Sequence, residues 1–232
     1  MSIKGETGLS AIKTPPSLRE MAFDAIKEGI MSNTLKAGHT YSEHSLAKQL
    51  GMSKTPVHEA LLDLSMRGFV NLVPRKGVII RSLSIDEIKD LYEFRLVLEV
   101  AVMRKVAERI TPQQIDRLWQ IHYACVASTE SDDHVGYIKN DRIYHSFMAS
   151  LAGNSYLVEA LENVRDLIDW MGVRAMVRPG RLPEVDIEHA LVIEKLAEKS
   201  AEEAAEAMEA HVRATERNSL SWHDHPQKEK EV

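Results

Sequence analysis

Only one cysteine, Cys125, occurs in the 232 residues, so neither a disulfide framework nor a cysteine-based zinc site can be built, and a reducing compartment is expected. Long apolar runs are also missing. No stretch approaches the length needed to span a bilayer, and the first residues, MSIKGETGLSAIKTPP, lack the apolar core of a signal peptide. A cytoplasmic location with no membrane partner is therefore expected. Residues 1–14 are small, polar and without periodicity, and are read as a disordered arm. What the chain does have is length and 44% hydrophobic residues, enough for one large core or two modest ones.

The net charge of −6 is unevenly spread. Residues 15–82 carry nine Lys and Arg against six Asp and Glu, a net +3, whereas residues 83–232 carry eighteen against twenty-eight, a net −10. The split fits an ordinary acidic protein, and it equally fits a small basic module joined to an acidic one.

Four short patterns place a hydroxyl where it can accept from free backbone N–H groups, with Glu or Gln three residues later: Ser17/Glu20, Ser84/Glu87, Thr111/Gln114 and Ser200/Glu203. Each opens an amphipathic stretch. After Ser17, Leu18, Met21, Ala22, Ala25, Ile26 and Ile30 recur at helical spacing, and this helix should stop near Asn33 or Gly38. Two more helices, 42–50 and 53–67, are separated by only Gly51 and Met52, which forces an abrupt change of direction. The stretches 69–73 and 78–82 are β-rich and joined by Pro74-Arg-Lys-Gly77, predicting a two-stranded hairpin. From Ser84 only helices are expected, at about 84–109, 112–128, 133–151, 155–176, 184–199 and 201–220, with a breaker at Arg178-Pro-Gly-Arg181. The chain is thus expected to be mainly α: a winged helix-turn-helix over 15–82, then an all-α antiparallel bundle over 84–221. A flexible tail, 222–232, closes the chain, with His223 and His225 solvated.

The wording of the first module sharpens this outline. YSEHSLAKQLGMSKTPVHEALLDLSMRGFVNLVPRKG, from Tyr41 to Gly77, resembles the GntR family of bacterial repressors through Leu46-Ala47, Gly51, Ser53, Pro56-Val57 and Glu59-Ala-Leu61. The resemblance implies DNA binding, with a palindromic double-stranded operator met by a two-fold homodimer. Ser53, Lys54 and Thr55, in the first turn of the recognition helix, can reach phosphates and base edges with help from free backbone N–H groups. Arg75, Lys76 and Gly77 at the wing tip can follow the backbone into the minor groove. Lys54 and His58 depart from the arginines usual in the family, and His44 stands where some members carry another basic contact. Lysine is a point charge and neutral histidine a weak anion contact, so the operator sequence is not inherited from the family. If His58 or His44 faces phosphate, affinity should rise as pH falls from about 8 to 6.

In the second module Asp141-Arg-Ile-Tyr-His145 sets a carboxylate and an imidazole one helical turn apart, able either to chelate a metal or to form a surface hydrogen bond. His189 and His211 lie on the apolar stripes of the last two helices, and three histidines with an aspartate are unfavourable to bury together without a cation. Residues 84–214 resemble the FCD ligand-binding domain of the FadR-like GntR subgroup, through Arg95-x-x-Leu-Glu99, Asp141-x-x-x-His145, Ala152-Gly-Asn154, Glu188-His189 and the helix ending in His211. The resemblance implies a divalent metal (Zn, Ni or Mn) on Asp141, His145, His189 and His211. Such a site has open coordination positions and suits a small carboxylate effector. Arg95 is either the effector's second anchor or an interhelical ion-pair partner of Glu99. Asn154 is expected to cap a helix. Effector binding is expected to act through the segment near Ser82–Ser84. Three alternatives stand beside effector sensing: a repressor for which the metal is the signal, a purely structural metal, and a metal-dependent enzyme, against which no further general base is evident.

Overall fold

The computed structural model describes residues 15–172 and 180–224, and the chain divides into two compact units between Ser82 and Leu83. The proposed arm, Arg178 and Pro179 of the breaker, residues 173–176 of the expected helix 155–176, and the tail from His225 lie outside the described residues.

In the first unit α1 (Leu18–Met31) buries Ala22, Ile26 and Ile30, one every turn, and starts in the expected capping box, Ser17 Oγ accepting from the Glu20 amide. It ends where Asn33 turns left-handed at φ 59°. After α2 (Glu43–Gln49), capped by Ser42, Gly51 at φ 64° turns the chain into α3 (Lys54–Met66). Val57, Ala60, Leu61 and Leu64 of α3 close the core against α1. The hairpin, β2 (Val70–Val73) and β3 (Gly77–Ile80), carries an addition: β1 (Thr40–Tyr41) pairs antiparallel with β3, so the expected two-stranded wing is a three-stranded sheet of order β1-β3-β2. Two residues immediately before a helix cap show no alternation to read, which is why periodicity missed β1.

The second unit is helical throughout its described residues: α4 (Ile85–Ala107), α5 (Pro112–Glu130), α6 (His134–Leu151), α7 (Ser155–Gly172), α8 (Arg181–Ala197) and α9 (Ala201–Asp224). The long α4 packs on α9, α7, α6 and α8, while α5 packs on α6 and α8. Capping boxes at Ser84 and Thr111 are complete, and Asn154 Oδ1 accepts from the Tyr156 and Leu157 amides. Among the described residues two boundaries of these helices differ from expectation by three residues or more. Helix α8 begins at Arg181, not 184, because Pro183 falls in its first turn, where its missing N–H leaves no bond unmade. Helix α9 runs on to Asp224, so residues 222–224 belong to a helix and not to a flexible tail.

Candidate functional site

Two places carry groups suited to function, one in each unit. In the first, Ser53 is the N-cap of α3 but its hydroxyl caps nothing, and Ser53, Lys54, Thr55 and His58 are all exposed along the first turns of that helix. Free amide groups at a helix start together with a lysine favour an anion. His44 on α2 is exposed as well. His58 Nδ1 lies 3.1 Å from Glu43 Oε1, so the carboxylate of α2 competes with any phosphate for that ring. At the wing tip Arg75 and Lys76 are exposed, Arg75 in the left-handed region at φ 65°. Gly77 has a structural reason to be glycine: its φ is 108°, and a Cβ there would collide with the Tyr41 carbonyl that β1 brings alongside.

The second place lies inside the bundle. Stripes on five helices converge, with Arg95 and Glu99 on α4, Asp141 and His145 on α6, Arg165 on α7, His189 on α8 and His211 on α9. All seven are buried. One nitrogen each of His145, His189 and His211 lies within 4.8 Å of the others. Asp141 Oδ1 is 3.5 Å from His189 Nε2 and 3.8 Å from His145 Nε2. Neighbouring ligands on one zinc-like ion stand about 3 to 3.5 Å apart, so Asp141 is near that spacing from His189 and His145, whereas the three histidine nitrogens, within 4.8 Å of one another, would have to draw together to share an ion. Hydrogen bonding points the same way: Asp141 Oδ1 and both ring nitrogens of His145 and of His189 are buried without a hydrogen-bond partner. Glu99 Oε1 is only 3.2 Å from His145 Nδ1, but the alignment does not make a hydrogen bond. So many orphaned donors and acceptors buried side by side are unfavourable unless something binds them.

Burial holds the three imidazoles well below the usual histidine range, with the guanidiniums of Arg165 and Arg95 adding to the effect, so the rings are neutral and their lone pairs available. Burial also pushes Asp141 up to about 6, against the opposing pull of Arg165 and Arg95. Outside this set, Glu188 accepts from His211 Nδ1 at 2.8 Å and takes two hydrogen bonds from Arg181, at 2.6 and 2.8 Å. That bond assigns the proton to Nδ1 and aims Nε2 inward. Tyr144 stacks on His189 at 4.1 Å and donates to the His189 carbonyl at 3.0 Å.

The structure thus brings together Asp141, His145, His189, His211 and Arg95, all named from the sequence. Arg95 also makes the ion pair with Glu99, its Nε donating at 3.4 Å, but within α4 and not between helices as expected, because the two residues stand one turn apart on the same helix. Arg165 and the roles of Glu188 and Tyr144 were missed. A signal for Arg165 existed, since Leu161, Arg165 and Ile168 fall on one buried stripe of α7, and a charge on such a stripe calls for a partner.

Comparisons with known proteins place a family model on each unit. The family model of bacterial regulatory proteins, gntR family, matches residues 18–80, and that of the FCD domain matches 90–214. The chain is 35% identical over 134 residues, 56% of its length and 78% of the other's, to an uncharacterised HTH-type transcriptional regulator in the TAR-I ttuE-ttuC' intergenic region of Agrobacterium vitis. It is 25% identical over 190 residues, 82% of its length and 85% of the other's, to the uncharacterised HTH-type regulator YdhC of Bacillus subtilis. Among solved structures, E. coli McbR/YncC shares the fold at a TM-score of 0.76 and 21% identity, covering 90% of this chain and all of that one. The chain belongs to the GntR family of bacterial regulatory proteins, in its FCD-domain branch, and is a DNA-binding transcription regulator, not an enzyme.

Proposed function

We propose that this regulator is a repressor that senses a small carboxylate at a divalent metal (Zn, Ni or Mn) held by Asp141, His145, His189 and His211. The observation that carries the reading is the cluster of buried, neutral and unpartnered ring nitrogens beside Asp141 Oδ1. A dication there gives each orphan a partner, and three imidazoles with one carboxylate leave coordination positions open to an anion. The metal supplies a fixed positive charge and a Lewis-acid contact for the carboxylate, while Arg95 offers a guanidinium fork and Glu188 fixes the tautomer of His211. The polar interior around these groups favours a metal with an effector over a purely structural ion.

On the DNA side, Ser53, Lys54 and Thr55 meet phosphates and base edges, with His44, His58 and the wing residues Arg75, Lys76 and Gly77 adding contacts to the backbone. A two-fold homodimer places two such helices on a palindromic operator, in the cytoplasm, and represses by occupying the site. Elemental analysis of the purified protein tests the sensing half. One divalent ion per chain, lost in His189→Ala, is expected; a protein free of metal after purification and reconstitution would remove the reading. If chelation alone releases the operator and organic acids do nothing to the loaded protein, the metal itself is the signal.

A further inference from the structure

Of the groups on the DNA face, His58 is the least suited to a phosphate. It lies in the second turn of α3, four residues after Lys54 and so on the same face, with half of its side chain exposed. Its Nδ1 is 3.1 Å from Oε1 of Glu43, the first residue of α2. Free amide groups at the start of α2 favour an anion there, and a carboxylate accepts hydrogen bonds without donating any. The proton between the two side chains therefore belongs to Nδ1. In a neutral imidazole one nitrogen donates and the other accepts, so Nε2 keeps its lone pair. Among the described residues no protein group meets Nε2.

An exposed lone pair near the start of a recognition helix, the part that meets base edges, selects its partner by elimination. Phosphate oxygens only accept, as do guanine N7 and O6 and thymine O4, and each would meet Nε2 lone pair to lone pair. The major-groove groups that donate are the amino groups at adenine N6 and cytosine N4. Lysine and arginine carry donors alone and make the opposite choice.

We infer that His58 reads a base: its Nε2 accepts from the exocyclic amino group of an adenine or cytosine in the major groove, and Glu43 is the positioning residue that fixes its tautomer. His58 thereby moves from the backbone contacts of the DNA-binding reading above, on which this rests, to the base contacts. An arginine in its place would select the acceptors of guanine instead. Glu43 carries no message of its own; it acts through the ring it holds.

Operator selection from randomised DNA with the full-length protein, at about pH 8 so that imidazole is neutral, tests the pairing. Both side chains lie at the surface, so their replacement leaves the core intact. Wild type should show one base pair per half-site whose preference, about 5-fold, disappears in H58A while all other positions and the salt dependence stay unchanged. E43A frees the ring to carry its proton on either nitrogen and should relax that same position to below about 2-fold, whereas E43Q, which keeps an acceptor oxygen, should retain the preference. At that base pair an analogue lacking the amino group should bind wild type about 5-fold more weakly and H58A no differently, and removal of purine N7 should affect neither. A loss in H58A that is uniform over all sequences, with the salt slope reduced by about 1, would return His58 to a phosphate. Dependence on purine N7 in place of the amino group would overturn the acceptor role, and a preference unchanged in E43A would remove Glu43 from it. If neither H58A nor K54A alters affinity or preference at any position, α3 does not enter the groove and the underlying reading itself fails.

Discussion

The pair His211 and Glu188 illustrates how a single hydrogen bond would prepare the proposed metal ligand. Because the carboxylate takes the Nδ1 proton at 2.8 Å and is itself held by Arg181, the ring cannot turn its other nitrogen outward at low energy. Glu188→Gln should therefore weaken metal affinity about 10- to 100-fold without abolishing it, as read by competition with a chromogenic chelator. The three neutral imidazoles also set an acid limit on the metal-stripped protein. Their folded-state pKa values lie below the unfolded value of 6.5, so the unfolded chain binds more protons below that pH and stability falls as pH drops through it. Asp141, raised to about 6, acts in the opposite sense between about 6 and 3.8, but it is one group against three. Thermal melts of the chelated protein should show a lower Tm at pH 5.5 than at 7.5, with a smaller drop in His189→Gln. On the DNA face Lys54 is exposed at the start of α3, and Lys54→Ala should weaken binding to all sequences alike and reduce the salt slope by about 1.

The helices of this chain declare themselves by their first residues. Ser17, Ser84 and Thr111 each form the reciprocal bonds with Glu or Gln three positions on that their spacing implied. Removing the cap of α4, as Ser84→Ala, should cost about 1 kcal/mol in denaturant unfolding, because the Glu87 amide loses its acceptor. A cost near zero would mean that packing alone holds the N-terminus of α4. Long periodic helices were legible for the same reason: their buried stripes recur often enough to outvote any one residue. Short or terminal features were not. Strand β1 is two residues whose conformation is set by pairing with β3, and the start of α8 depends on Pro183 fitting a first turn. The metal-binding candidates were legible mainly through the resemblance to the FCD domain, the shared helix face of Asp141 and His145 being weak alone; Arg165 and the bond from His211 to Glu188 were harder, since those partners lie on different helices.

The two units divide the work that the uneven charge of the sequence already suggested, a net +3 in residues 15–82 and −10 beyond. A modest basic surface favours operator binding that depends on paired half-sites, so sedimentation of the full chain should give twice the protomer mass, and operator affinity should fall steeply with salt. A carboxylate that binds only the metal-loaded bundle can alter that affinity only through different affinities for the DNA-bound and free states. The most direct measurement is fluorescence anisotropy of an operator selected from randomised DNA, titrated with protein at fixed salt, with and without a panel of small mono-, di- and tricarboxylates, before and after chelation. The account predicts that at least one small carboxylate changes operator affinity at least about 10-fold in the metal-loaded protein and that none affects the chelated protein. An equal response with and without metal, or none in either, would contradict it.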